Sequence, residues 1–290
     1  MHKAFTIISL LLTMAACTRY ERVVDVQGHR GARGHFPENS ILSFQEAIRL
    51  GAHTLEMDVI ISRDQQVVVS HEPWLNHEIC TDTAGQAIDP KADRPFNLYE
   101  MDYADIARCD CGSLGHPRFP EQQKQSVIKP LLRDVFAATS FAYTRDGMPV
   151  RYNIEIKAEP QDYGKYHPDA ATFARLVYEE VAKAGLQDRT TLQSFDLDIL
   201  KVLHTTYPDQ TLALLVDEEE DYVQKFADLG FYTDILSPWH KLADDNMYNF
   251  CKDKQLLLIP WTVNDSADIA RLLELGVDGI ISDYPERVGF

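Results

Sequence analysis

Short apolar runs alternate with longer amphipathic stretches along most of the chain. The runs are rich in β-branched residues and of strand length, whereas the stretches repeat their apolar positions at helical spacing. Strands are expected at residues 23–26, 54–60, 67–69, 151–157, 190–195, 211–216, 233–237, 256–263 and 278–282. Helices are expected at about 41–50, 131–141, 170–184, 197–206, 221–229, 244–252 and 267–275. The stretch between Asp58 and Val67 is too short for the helical crossover that parallel strands require. One of the nine runs therefore lies outside the regular alternation. Residues 73–129, with their Pro, Gly and polar residues and short aromatic patches, fit no repeat unit and read as an inserted cap.

The run ends carry the chemistry. His29-Arg30-Gly31 follows the first run directly, and α/β folds put their reactive groups at strand C-termini. Alternation puts Glu56 and Asp58 on one face of the second run, where buried carboxylates are costly unless paired or metal-bound. A solvated face is the plain alternative for that pair taken alone. The third run ends in His71, and in the fourth Asn153, Glu155 and Lys157 share a face. Two histidines can act as acid and base. Three carboxylates suit a hard divalent cation with positions left for substrate oxygens. Arg30 and Lys157 add positive charge for an anionic substrate such as a phosphate. Trp261 closes the apolar run 256–260, which puts its ring at the mouth of the fold or, alternatively, in its core.

The segments HRGARGHFPENS (29–40), GAHTLEMDV (51–59), SRDQQVVVSHE (62–72), NIEIK (153–157), QSF (193–195), WTVN (261–264) and GVDGIISD (276–283) follow one another in an order that resembles the glycerophosphodiester phosphodiesterase family. Ser40 stands where that family usually has Thr, and Glu72 where Asp is commoner. The resemblance implies an irregular TIM (β/α)8 barrel with a small inserted cap. It implies hydrolysis of glycerophosphodiesters to glycerol 3-phosphate and an alcohol, with His29 and His71 exchanging protons. Glu56, Asp58 and Glu155 would hold Mg²⁺ or Ca²⁺, and Arg30 and Lys157 would hold phosphate oxygens. A lysophospholipase D-like enzyme and a non-catalytic glycerol-phosphate-binding lipoprotein are the alternatives. The intact histidines and carboxylates argue against the second.

Lys3, an apolar run through Met14 and then Ala15-Ala16-Cys17 have the layout of a secretory leader, too short for a membrane span. The cysteine after two small residues resembles a bacterial lipoprotein signal. Residues 1–16 would be removed, Cys17 would carry lipid, and the remaining 17–290 would form one domain exported to the periplasm or outer membrane. The net charge of −17 becomes one unit more negative once Lys3 is lost, which disfavours nucleic acid and anionic lipid as partners. Export permits a disulfide from Cys80 to Cys109 or Cys111, with Cys251 a buried thiol in a helix.

Overall fold

The computed structural model describes residues 23–92 and 94–288. The leader 1–16 and Cys17 lie outside the described residues. In chain order the elements are β1 (Asp25–Gly28), α1 (Ile41–Leu50), β2 (Thr54–Ile61), β3 (Val67–Val69), α2 (Tyr103–Ile106), α3 (Leu132–Thr139), β4 (Arg151–Ile156), α4 (Ala170–Ala184), β5 (Thr190–Ser194), α5 (Leu197–Thr206), β6 (Thr211–Val216), α6 (Tyr222–Leu229), β7 (Ile235–Pro238), α7 (Asp245–Lys254), β8 (Leu257–Leu258), α8 (Ser266–Leu275) and β9 (Gly279–Ser282). Among the described residues eight strands are parallel, in the order β8-β7-β6-β5-β4-β2-β1-β9. The seam between β8 and β9 is crossed by backbone bonds from Asp278 N–H to Leu258 O (2.9 Å), Ile281 N–H to Pro260 O (3.0 Å) and Val263 N–H to Ile281 O (2.9 Å). The result is a TIM barrel.

Helix ends follow local chemistry. Ser40, Asp169, Asp196, Asp221, Asp244 and Asp265 each accept a first-turn N–H at a helix start. Gly51, Gly185, Gly230 and Gly276 end helices in the left-handed conformation. Leu55, Met57, Val59 and Ile61 of β2 face the helices and join the main core, which leaves Glu56 and Asp58 inside the barrel. The interior is divided. Ala213, Ile235, Ile259 and Ile281 form an apolar half, whereas Gln27, Asn153, Gln193 and Glu56 form a polar one.

Two expectations need correction. The first strand is shifted by two residues to Asp25–Gly28, because pairing with β9 (Asp25 to Gly279, Gly28 to Ser282) sets its register; Val23 is left 71% exposed. The run 256–263 keeps only a two-residue strand, since Pro260 has no N–H and interrupts the ladder. The run expected to lie outside the regular alternation is β3, an antiparallel strand that His71 follows. β3 turns back on β2 through a tight hairpin, pairing Val69 with Val59. Because β2 runs past the barrel rim, the return brings Ser70 N–H to Asp58 O (2.9 Å) and His71 down to the carboxylates.

The segment 73–129 carries a small core of its own. Leu75, Ile79, Ile88, Leu98 and Ile106 pack with Ile60 and Val68 on the face of the β2–β3 hairpin opposite the helices. Cys80 is bonded to Cys111, while Cys109 and Cys251 are buried thiols.

Gly28 sets the distance between β1 and α1. A Cβ there would meet Gly31 O at 2.6 Å and the Ala47 Cβ at 2.9 Å. Gly28→Ala is therefore expected to lower stability by roughly 1–3 kcal/mol in urea unfolding, the usual cost of overpacking. An unchanged midpoint would contradict this packing.

Candidate active site

At the C-terminal rim of the barrel a cavity of about 340 Å³ is lined by His29, Arg30, Glu56, His71, Glu155, Lys157 and Trp261, with Arg33, Arg118, Gln193, Phe195, Leu215 and Asp217 among the others. Asp58 lies against its floor, since the ligand atoms of Glu56, Asp58 and Glu155 are all within 4.8 Å of one another. The structure thus brings every rim residue expected from the sequence into one place.

The floor is a problem of like charge. The β2–β4 register sets Asp58 beside Glu155 and Glu56 beside Asn153. Burial, then the Asp58 charge, hold the Glu56 carboxyl well above its usual range. Burial, with Asp58 adding and Lys157 opposing, pushes Glu155 up to about 7. Burial would raise Asp58 too, but Arg30, His71 and Lys157 bring it below the usual carboxylate range. Three buried carboxylates with oxygen donors only are a good fit for a hard divalent cation and a poor one for a thiolate-type zinc site.

The loop after β1 neutralises part of this charge. Arg30 and Gly31 adopt successive left-handed conformations (φ 51° and 88°), which aims the Arg30 N–H at Glu56 Oε2 (2.9 Å). The Arg30 guanidinium meets Glu38 at 2.8 Å and Asp58 at 3.2 Å. Asn39 is left-handed as well (φ 53°); its amide donates to Asp58 Oδ2 (2.8 Å) and accepts the Asp58 N–H (3.3 Å). From the strands, Lys157 Nζ lies 2.8 Å from Glu155, and Gln193 donates to Glu56 Oε1 (3.0 Å).

Each histidine is held by a carboxylate. His29 Nδ1 is 2.7 Å from Asp283 Oδ1, and Asp283 also accepts from Asn264 Nδ2 (2.7 Å). His71 Nδ1 is 2.9 Å from Glu72 Oε1. In both pairs Nε2 is the nitrogen left for a substrate. Burial lowers the His29 pKa while Asp283 opposes. Burial, Arg30 and Lys157 together push His71 down to about 4. Asp283, despite burial, is kept at about 2 by His29 and Arg33.

Trp261 sits at the cavity wall with its indole N–H on Ser237 O (2.8 Å) and its ring edge-on to Phe195 (5.6 Å). Sequence reasoning gave no role to Asp283, Asn264, Glu38, Asn39, Gln193 or Arg118. All but Arg118 stand inside the segments 29–40, 193–195, 261–264 and 276–283, so their place was marked although their partners were not.

The model of the glycerophosphoryl diester phosphodiesterase family matches residues 29–287. The chain belongs to this family. It is therefore a phosphodiesterase by descent, and relatives agree in length and fold. The glycerophosphodiester phosphodiesterase of Bacillus subtilis is 26% identical, over 92% of this chain and 85% of its own. A putative glycerophosphoryl diester phosphodiesterase of Silicibacter pomeroyi has a solved structure with a TM-score of 0.81 and 29% identity, covering 93% of this chain and 92% of that one. The phosphodiesterase of Oleispira antarctica, solved with the product sn-glycerol-3-phosphate, shares the fold at TM-score 0.71 and 21% identity, over 91% and 94% of the two chains.

The raised Glu155 pKa gives a pH test of the floor. The folded, metal-free state keeps a proton on Glu155 that the unfolded chain releases above its ordinary 4.5. Stability without metal should then fall as pH rises from 4.5 to about 7, and a cation that replaces the proton removes the loss. The rise in Tm on adding Mg²⁺ or Ca²⁺ to EDTA-stripped protein should widen from about pH 5 to about pH 8, and widen less in Glu155→Gln. A gap that ignores pH would count against this triad as the seat of the cation.

Proposed function

We propose that the chain hydrolyses glycerophosphodiesters to glycerol 3-phosphate and an alcohol, with a divalent cation, Mg²⁺ or Ca²⁺, held by Glu56, Asp58 and Glu155. The observation that carries this reading is the placement of two carboxylate-held histidines on one cavity above a buried acidic triad. The cation would offset charge on the phosphoryl oxygens. Lys157, and Arg30 with the part of its charge that Glu38 and Asp58 leave, would face the same oxygens. The glycerol unit would lie against the Trp261 ring, whose indole N–H is already satisfied.

Burial lowers the pKa of both histidines; Arg30 and Lys157 lower that of His71 further, to about 4, whereas Asp283 opposes the fall at His29. His71 Nε2 would accept the proton of the glycerol hydroxyl next to the phosphate as that oxygen bonds to phosphorus. The bond to the alcohol oxygen breaks, and His29 Nε2 protonates the departing oxygen. Water then opens the cyclic phosphate with the roles reversed.

Each of His29→Ala and His71→Ala is expected to lower turnover of glycerophosphocholine by roughly 10² or more while leaving the thermal unfolding midpoint near that of the parent. Products should be glycerol 3-phosphate and choline, and EDTA should stop their release until metal is restored. Bis(p-nitrophenyl) phosphate, which lacks the neighbouring hydroxyl, should be a poor substrate. Cleavage of it at an equal rate would sink the hydroxyl-assisted route, and preference for lysophosphatidylcholine would favour a lysophospholipase D.

We also propose that the protein is exported and lipid-anchored through Cys17. Ala15-Ala16-Cys17 and the Cys80–Cys111 bond, which suits an oxidising compartment, support this. Cys17→Ser should leave the protein soluble or as an unprocessed precursor. Mass spectrometry of the native protein that finds an unmodified N-terminus elsewhere would overturn the assignment.

A further inference from the structure

Four cationic side chains line the cavity: Arg30, Arg33, Lys157 and Arg118. Three already face carboxylates, Arg30 with Glu38 (2.8 Å), Arg33 with Glu38 (2.7 Å) and Lys157 with Glu155 (2.8 Å). Arg118 is exposed and has no carboxylate within ion-pair distance among the described residues. Its backbone is nonetheless fixed. The Arg118 N–H donates to His116 Nδ1 (3.2 Å), and the buried His116 ring stands 3.5 Å from Glu38. Gln122 donates to the carbonyls of Arg33 (2.8 Å) and Phe36 (3.0 Å), clamping this part of the insertion to the loop after β1.

Barrel geometry sets Arg118 apart from the rest of the lining. In the ring of eight strands β6 lies four places from β1 in either direction, so the two are opposite. Leu215 and Asp217 come from β6 and the loop after it, and with Phe195 and Trp261 they make an apolar wall topped by a carboxylate. Such a wall suits the carbon face and hydroxyls of glycerol. With the glycerol there and the phosphate over the acidic floor, the leaving alcohol is directed to the β1 side, beneath Arg118 and beside Arg33.

We propose that Arg118 makes the site select diesters whose leaving alcohol carries an anion, such as a carboxylate, over those whose alcohol is only cationic. This rests on the hydrolysis proposed above and on the orientation that the Trp261 wall gives the substrate. An alcohol bearing an ammonium alone meets Arg118, which no carboxylate among the described residues offsets, beside Arg33, whose charge Glu38 already faces. A carboxylate finds in Arg118 a donor fork with no competing acid.

Glycerophosphoserine and glycerophosphoethanolamine differ by one carboxylate, so their kcat/KM ratio with the metal-loaded enzyme isolates the interaction. The ratio should favour the serine diester by roughly fivefold or more at low salt, the scale of an exposed to partly buried ion pair, and shrink as salt is added. Arg118→Met should bring it towards one, Arg118→Lys should keep part of it, and Arg118→Glu should invert it. If Arg118→Met slows both diesters equally, the guanidinium serves the phosphate and the selection is wrong. A wild-type ratio of one overturns it as well. If neither diester is cleaved, the hydrolytic reading itself fails.

Discussion

Three carboxylates on two neighbouring strands, inside a barrel, are the constraint around which the rest is arranged. The β2–β4 register leaves no freedom: Asp58 must lie beside Glu155, and Glu56 one repeat below. Burying that much like charge is unfavourable unless cations and donors surround it. Arg30 and Asn39 come from the loop after β1, Lys157 from the end of β4 and Gln193 from β5. The left-handed residues in the loop make sense in this light, since a non-glycine residue pays strain of about 1–2 kcal/mol for such a conformation. Here the strain delivers a backbone N–H to Glu56 and a bidentate amide to Asp58.

The interior division extends the same logic. Gln27, Asn153, Gln193 and Glu56 form a hydrogen-bonded chain across one half of the barrel, so the acid cluster rests on a connected polar layer in which Asn153 Oδ1 is left without a partner among the described residues. The opposite half is Ala213, Ile235, Ile259 and Ile281, on which Trp261 packs. With the orientation proposed above, a phosphate would be steered to one side of the cavity and carbon to the other. The polarity of a glycerophosphodiester matches the polarity of the barrel interior.

Much of this was legible in the chain. Period-two alternation put Glu56 and Asp58 on one face of 54–60 and Glu155 on a face of 151–157 with Asn153 and Lys157, and the helical spacing of apolar positions marked the ends of the expected helices to within two residues. The unusually short link before Val67 announced an exceptional strand, but direction depends on hydrogen bonds that no local pattern reveals. The carboxylates behind the histidines were harder. Asp283 lies 254 residues from His29, joined to it only because the barrel closes β1 against β9. Spacing also could not choose between Cys109 and Cys111; the choice follows from which thiol the insertion's small core turns towards Cys80.

The bond between Cys80 and Cys111 brackets the most exposed part of the insertion, residues 84–92, where Ile88 alone is buried. Chain scission anywhere in that stretch would leave both fragments tethered and the packing of Leu75 and Ile106 on the β2–β3 hairpin intact. On the carboxyl side of the cut, Lys129 would still donate to Ser70 Oγ (2.8 Å) and Pro130 O would still accept the Val69 N–H (2.8 Å), so the hairpin end that carries His71 would keep its support. The fold would therefore tolerate nicking at this exposed surface: damage from a protease-rich environment would change the number of polypeptide pieces without dismantling the reaction centre.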